Sequence, residues 1–354
     1  MNTYCKYLWS GLMAVLITPT VWVAGAEASA SRAAITPAKI IFDTDIGNDV
    51  DDVMALAMLH ALQRQGQCEL LAVTITKKDR LAAPFTAAVN AFYGREDLPI
   101  GVGANAVDTG GSKFLKLAEA TDDGKPRFPQ KLTGQTLPEA VQLIRNTLSQ
   151  QPDRSVCLVQ VGFFSNLAAL LDSQPDAFSP LNGKELIKQK VKLLSIMAGS
   201  FQTIKHNNHY LEYNVIKDIP AAQKLEREWP SPIVWSGYEI GIAAAYPSVS
   251  IERDYQYVPH HPVAEAYCLY NPPPHDRPTW DLTAALYAVF PDRGYFDLSS
   301  AGQVTVEADG FTRFTPKKNG RDSFLIVNDL QVARLKETFV RLCSQPPPGL
   351  PSSK

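Results

Sequence analysis

Short runs of apolar residues recur along the chain, and helical patterns separate them. The runs that predict strands are 39–42, 70–76, 99–103, 156–162, 191–199 and 232–237. Several are apolar at every position, as expected of strands covered on both faces. Helices are predicted between them at 51–65, 81–93, 136–150 and 165–171, the third opening on a capping box of Thr136 and Glu139. This alternation predicts an α/β fold, a mostly parallel open sheet with helices on both faces.

The two ends of the chain have a different composition from the rest. Residues 1–30 contain Lys6, an apolar run of residues 8–23, and small residues that suit cleavage at 24–26 and 28–30. They predict a signal peptide and export to the periplasm or the cell exterior; an uncleaved membrane anchor is the alternative. Residues 31–345 are expected to form a single domain, since no linker divides them, and 346–354 a disordered tail.

Charge and cysteine content narrow the functional classes. The net charge is −2 over 354 residues, which argues against a general binder of nucleic acid polymers. The cysteines after the leader lie far apart and lack the spacing of a metal site. We expect them to be buried free thiols, and they are Cys68, Cys157, Cys268 and Cys343.

Five aspartates follow one another closely at the end of the first predicted strand: Asp43, Asp45, Asp49, Asp51 and Asp52. Carboxylates this close raise each other's pKa or require a cation, and oxygen ligands without His or Cys suit Ca²⁺ or Mg²⁺. Capping of the following helix is the alternative; it explains Asp49 and Asp51 but not all five. Ligands of open parallel sheets bind beyond the carboxyl ends of the strands. The loops after residues 162 and 199 are therefore expected beside the aspartates.

The segment "DTDIGNDVDD" resembles the amino-terminal signature of the inosine-uridine-preferring nucleoside hydrolase family, Asp-x-Asp-Pro-Gly-x-Asp-Asp between a strand and a helix. Ile46 stands where Pro is common, and two extra residues precede the aspartate pair. Five later segments resemble further blocks of the family, in the same order: "GREDLPIGVGAN", "VGFFSNLAALL", "IMAGS", "EYNVIKDIPAA" and "TWDLTAALYAVFP". The resemblance covers nearly all of the chain after the leader and implies a nucleoside-hydrolase-like fold with a Rossmann-like core.

The resemblance also implies an activity, a cofactor and a set of site residues. The activity is hydrolysis of the N-glycosidic bond of ribonucleosides to free base and ribose, with one Ca²⁺. The implied metal ligands are Asp45, Asp52, Asp281 and the backbone carbonyl of Ser165, and Asp45 is also the implied general base. The implied partners are a small nucleoside and further copies of the chain, in a homodimer or homotetramer.

Further side chains are expected to bind the nucleoside. The resemblance implies Asp51, Met197, Glu212 and Asn214, joined by Asn207 or Asn208. Asp79 lies near the position where the family often has an Asn that contacts ribose, and it is a candidate for that contact. Asp43 is expected to orient the loop.

Trp280 departs most from the family pattern. Many members have a His there, next to the late Asp, which can protonate the leaving base; a Trp can only stack on the base. Two other functions therefore stay open. One is a noncatalytic exported protein that binds a nucleoside or sugar. The other is a phosphatase of the haloacid-dehalogenase type, which "FDTDIG" resembles but which leaves Asp51, Asp52 and the block around Trp280 unexplained.

Overall fold

A mostly parallel sheet forms the centre of the protein. The structure is a computed structural model that describes residues 36–132 and 136–349, so the predicted signal peptide lies outside the described residues. Within them the large sheet has ten strands in the order β11-β10-β12-β8-β7-β6-β1-β2-β3, with β9 on β12; β4 and β5 form a separate hairpin. The strands are β1 Ala38–Thr44, β2 Cys68–Lys77, β3 Ile100–Val107, β4 Thr121–Asp122, β5 Lys125–Pro126, β6 Val156–Gln160, β7 Val191–Met197, β8 Ile233–Ser236, β9 Asp297–Leu298, β10 Gly302–Val306, β11 Thr312–Pro316 and β12 Asp322–Ile326.

Helices cover both faces of this sheet, as predicted. They are α1 Asp51–Arg64, α2 Ala82–Phe92, α3 Ala140–Ser149, α4 Ser165–Asp172, α5 Gly183–Lys190, α6 Tyr213–Lys217, α7 Ile219–Glu228, α8 Tyr238–Ala243, α9 Ser248–Arg253, α10 Pro262–Tyr270, α11 Trp280–Val289 and α12 Asp329–Cys343. Ile40 and Phe42 of β1 pack in one core with α1, α2, α11 and α12. Ile41 packs in the other core, with α3, α4, α5 and α7. Because successive side chains of a strand point to opposite faces, this uninterrupted apolar run needs cover on both sides.

The chain changes direction at β1, and this sets where a site can form. β1 pairs in parallel with β2 on one side and with β6 on the other. The chain then proceeds from β2 to β3 toward one edge of the sheet, and from β6 through β7 and β8 toward the other. The loops after β1 and β6 therefore diverge and leave a crevice at the carboxyl ends of the strands, where α/β sheets bind their ligands.

The predicted start of the third helix is wrong. Helix α3 begins at Ala140, and Glu139 is its N-cap, accepting a hydrogen bond from the Gln142 backbone NH at 3.1 Å. The preceding residues are extended, because the Val102 NH of β3 donates to the Pro138 carbonyl at 3.1 Å. Pairing with the edge strand thus competes with the capping box that Thr136 and Glu139 suggested.

The carboxyl-terminal part of the sheet was not predicted. Strands β10 and β11 pair antiparallel, and β12 runs parallel to β8. These strands are short and partly exposed, so their apolar pattern is weak. The tail predicted to be disordered begins with Pro346 and Pro347, which are buried, and Arg64 donates to the Pro346 carbonyl. Residues 350–354 lie outside the described residues.

The cysteines of the described chain are free thiols. Cys68, Cys157 and Cys343 are buried, as predicted, whereas Cys268 is exposed. Burial raises the pKa of the Cys68 thiol to about 12 and that of Cys157 to about 11, so both stay protonated at neutral pH. No helix within the described residues has the length and apolar character needed to cross a membrane.

A buried arginine ties α3 to the loop that follows α4. The Arg145 guanidinium bonds both carboxylate oxygens of Asp176, at 2.6 and 3.0 Å, and the Leu181 carbonyl at 2.9 Å. Arg145→Met leaves these acceptors without their charged donor, and we expect it to lower the free energy of unfolding by about 3 kcal/mol. Arg95→Met, at an exposed pair with Asp97, is the control, with an expected loss below about 1 kcal/mol. Equal losses in urea unfolding would contradict the assignment.

Candidate active site

A half-open cavity lies at the carboxyl ends of β1, β6 and β7. Seven of its lining residues were singled out from the sequence: Asp45, Asp49, Met197, Glu212, Asn214, Trp280 and Asp281. Four others were not: Asn48, Val161, Tyr213 and Tyr238. The fold thus brings together residues separated by more than two hundred positions, at the place where the topology leaves a crevice.

The acidic loop is held from below by Asp43. Its carboxylate accepts from Thr74 Oγ1 at 2.5 Å and from Asn166 Nδ2 at 2.8 Å, which joins β1 to β2 and α4. This agrees with the expectation that Asp43 orients the loop. Burial raises its pKa to about 7 despite those two donors. Gly47 turns the loop at φ +116°, and a Cβ there would lie 2.5 Å from Leu115 Cδ1.

A chain of polar contacts fixes Asp45. Asn48 Nδ2 donates to Asp45 Oδ2 at 2.5 Å, and Lys77 Nζ donates to Asn48 Oδ1 at 2.8 Å. Thr109 Oγ1 also donates to Asn48 Oδ1, at 2.5 Å. Burial raises the pKa of Asp45 to about 6, while Asn48 and the Lys77 charge oppose the rise. Asp45 therefore stays ionised at neutral pH but binds a proton more readily than a free aspartate does.

Arg277 pairs with two of the other aspartates. Its Nη2 lies 2.5 Å from Asp49 Oδ2 and 2.8 Å from Asp51 Oδ1. Its guanidinium also lies over the rings of Tyr270 and Trp280, at 4.8 and 4.9 Å from their centroids. Arg277 was not predicted from the sequence. Its signal was a cationic residue four positions before Asp281, and Asp281 lies in a block that resembles the family.

The carboxylates at the cavity suit a divalent cation. The Thr44 hydroxyl donates to Asp52 Oδ1, and Asp52 Oδ2 is buried without a partner in the described residues. Burial, followed by the neighbouring carboxylates, raises the pKa values of Asp52 and Asp281 well above their usual range. Buried carboxylates that are this poorly compensated require either protons or a cation.

The tightest grouping of carboxylates differs from the predicted ligand set. Asp49, Asp51 and Asp281 offer oxygens that all lie within 4.8 Å of one another. Among the described residues, Arg277 pairs with the first two of them and not with Asp45, Asp52 or Asp281. Ser165 begins α4 just after the β6 loop, and its buried Oγ finds no partner among the described residues. An Asp cluster that can bind a metal is thus present at the cavity.

Glu212 and Asn214 form the polar wall opposite the loop. The Glu212 carboxylate accepts backbone NH bonds from Asn214 at 2.9 Å and from Gly199 at 3.1 Å. Burial nevertheless raises its pKa to about 7. Asn214 Nδ2 donates to the carbonyls of Val161 and Met197, at 2.9 and 3.2 Å, which joins the ends of β6 and β7. Both side chains are therefore held in place in this wall of the cavity.

Several candidates are not at the cavity wall. Asp79 Oδ1 accepts from the Leu81 NH at 2.9 Å, before α2, and the side chain that enters the site from this region is Lys77. Asn207 and Asn208 are exposed in a turn, where Asn207 Oδ1 accepts from the His209 NH at 2.8 Å.

Asp51, expected to contact ribose, also lies beneath the cavity surface. It is buried against Arg277, and its Oδ2 accepts from the Asp281 NH at 3.3 Å. Its position at the start of α1 turns the carboxylate toward α11, where it pairs with Arg277; its contact with ribose stays a prediction.

Trp280 belongs to an aromatic wall. Its Nε1 donates to the Tyr238 carbonyl at 2.8 Å, and the Tyr238 ring stacks on it at 5.1 Å. The Tyr210 ring packs on Tyr238 at 4.3 Å. A Cβ at Gly241 would lie 2.1 Å from Trp280 Cδ1, so only glycine lets α8 approach the indole this closely. Trp280 is thus fixed by packing while still lining the cavity.

The fold of the chain matches those of solved nucleoside hydrolases. An inosine-uridine-preferring nucleoside hydrolase from Bacillus anthracis has 19% identity and a TM-score of 0.64, over 87% of this chain and 99% of that chain. The plant nucleoside hydrolase PpNRh1 has 20% identity and a TM-score of 0.62, over 86% and 99%. A purine-preferring ribonucleoside hydrolase from Gardnerella vaginalis has 17% identity and a TM-score of 0.63, over 86% and 98%.

Sequence comparison decides the family. No curated protein sequence matches the chain. The family profile described as "Inosine-uridine preferring nucleoside hydrolase" matches residues 40–337, which include every element from the acidic loop to α11. The haloacid-dehalogenase interpretation is therefore wrong. The chain belongs to the inosine-uridine-preferring nucleoside hydrolase family and is an N-glycosidic bond hydrolase.

Proposed function

We propose that the protein is an exported, Ca²⁺-dependent hydrolase that cleaves ribonucleosides to free base and ribose. The observation that carries this proposal is that Asp45 and Asp281 line the cavity beside the buried Asp52, and that none of the three pairs with an arginine among the described residues. With the Ser165 carbonyl they offer only oxygen donors, which Ca²⁺ prefers. When bound, the cation lowers the pKa of a water molecule at the sugar.

Asp45 then accepts a proton from the attacking water. This role fits the position of Asp45 at the cavity wall, next to the carboxylates that would bind the cation and its water. Asn48 holds Oδ2 at 2.5 Å and leaves the other oxygen to the site. The Lys77–Asn48 contact, at 2.8 Å, prevents the carboxylate from turning away.

Glu212 and Asn214 bind the sugar. Asn214 Nδ2 is engaged with two backbone carbonyls, so its Oδ1 is the atom available to a ribose hydroxyl. Three backbone NH groups hold the Glu212 carboxylate, and a hydroxyl donor completes its coordination. The glycosidic bond breaks with positive charge developing on the sugar, and the surplus of carboxylates at this cavity stabilises that charge electrostatically.

The aromatic wall receives the base. Trp280, Tyr238 and Tyr213 line the cavity beside the carboxylates, and stacking on their rings suits a purine better than a pyrimidine. Export rests on the pattern of residues 1–30, and assembly into homodimers or homotetramers on the family resemblance.

A panel of nucleosides tests the proposal. Purified protein is incubated with inosine, adenosine, guanosine, uridine and cytidine, each with Ca²⁺, with Mg²⁺ and with a chelator, and free base and ribose are measured. We expect release that requires Ca²⁺ and is fastest for a purine. Nucleoside binding without release would contradict the hydrolase, and full activity in chelator would contradict the metal.

Asp45→Asn keeps the shape of the side chain but removes the charge that accepts the proton. We expect kcat to fall roughly 1,000-fold while the thermal unfolding midpoint of the protein with chelator changes little. Asp309→Asn, at an exposed ion pair with His209, is the matched control and should keep full activity. If Asp45→Asn turned over nearly as fast as the wild type, the base would lie elsewhere, with Asp49 the next candidate.

Trp280→Ala tests whether stacking aids departure of the base. If stacking makes a bound purine easier to protonate, inosine hydrolysis should slow at least roughly tenfold more than hydrolysis of p-nitrophenyl riboside, whose leaving group needs no proton. Equal slowing of both substrates would show that Trp280 only packs against Tyr238 and Arg277.

A further inference from the structure

Arg277 stands where a second metal ion would otherwise fit. Oxygens of Asp49, Asp51 and Asp281 lie within 4.8 Å of one another, a spacing that a divalent cation could bridge. Arg277 Nη2 contacts the first two carboxylates at 2.5 and 2.8 Å, and Nε makes a further bond to Asp51 at 3.2 Å. The positive charge at this grouping is therefore part of the chain itself.

The guanidinium is held on every side. Only 6% of the Arg277 side chain is exposed. Tyr270 and Trp280 stack on it, and Nη1 donates to the Tyr270 hydroxyl at 3.3 Å. The Arg277 backbone pairs with that of Tyr246 in both directions, at 2.7 and 3.0 Å. The Arg277 side chain is thus held at its backbone and at its guanidinium. The two side chains of an exposed ion pair, in contrast, can separate and pair again.

We propose that Arg277 is a positioning residue whose guanidinium occupies a cation position that Asp49, Asp51 and Asp281 would otherwise give to a metal ion. By pairing with Asp49 and Asp51, it leaves Asp281 to act with Asp45 and Asp52. The chain therefore binds one fewer divalent cation than its carboxylates could hold. Only the statement about Asp281 rests on the proposed function; the occupation of the cation position does not.

Removal of the guanidinium has a defined consequence. Two nearby carboxylates of unit charge repel each other strongly where little water surrounds them. Without Arg277, the Asp49–Asp51–Asp281 group can reduce this repulsion by binding a proton or a cation. At neutral pH with millimolar Ca²⁺ present, carboxylate oxygens grouped in this way suit the metal.

Calcium stoichiometry is the test, because it needs no turnover. Wild type, Arg277→Met and Arg145→Met are freed of metal and titrated with CaCl₂ at one pH in a calorimeter. We expect Arg277→Met to bind one equivalent more than the wild type. Arg145→Met, which also loses a buried guanidinium but lies far from the site, should match the wild type. The same number of sites in all three proteins would overturn the proposal.

A double variant locates the extra ion. Asp49→Asn/Arg277→Met removes one of the three carboxylates and should lose the additional equivalent; if it kept that equivalent, the ion would lie elsewhere and the proposal would fail. Arg277→Gln, which keeps polar contacts in the buried space, replaces Arg277→Met if that variant does not fold.

The same titration separates this inference from the proposed function. A wild type that binds no Ca²⁺ would contradict the Ca²⁺-dependent hydrolase. An Arg277→Met variant that then binds one equivalent would still support the role of Arg277. If neither protein binds Ca²⁺, both proposals fail.

Discussion

Repulsion among buried carboxylates is the constraint on which the site depends. Asp43, Asp45, Asp51, Asp52, Asp281 and Glu212 are all buried around one end of β1, and Asp49 is half-buried beside them. The buried cations among the described residues at this place are Lys77 and Arg277. Because each close pair of like charges costs several kcal/mol in such surroundings, the acidic loop can fold only where donors or cations surround it.

The fold supplies those donors at the one place where two loops diverge. Thr74 of β2 and Asn166 of α4 reach Asp43, and backbone NH groups after β7 and in the first turn of α6 reach Glu212. The raised pKa values show that this compensation is partial. A site left partly uncompensated stabilises positive charge, which is the demand that a metal ion and a developing sugar cation both make.

Which features could be predicted from the sequence depended on how far apart in the chain the interacting residues lie. The six central strands, α1 and α4 follow from local apolar patterns, and Asp45, Glu212, Asn214 and Asp281 from motifs that resemble the family. Arg277 contacts Asp51 across 226 positions, so no local pattern connects them. Asp79 is placed by a local contact instead, because its carboxylate accepts from the Leu81 NH; its contact with ribose stays a prediction.

The residues that depart from the family pattern are connected to one another by contacts. The lengthened loop supplies Asn48, which holds Asp45 and binds Lys77, and Asp49, which binds Arg277. Arg277 in turn lies against Trp280, the residue that replaces the usual His. A protonated His at position 280 would be repelled by the Arg277 guanidinium beside it, whereas an indole ring is attracted to that guanidinium. Any explanation of leaving-group activation in this chain must therefore treat the longer loop, Arg277 and Trp280 together, because a change in one alters the charge or packing that the others require.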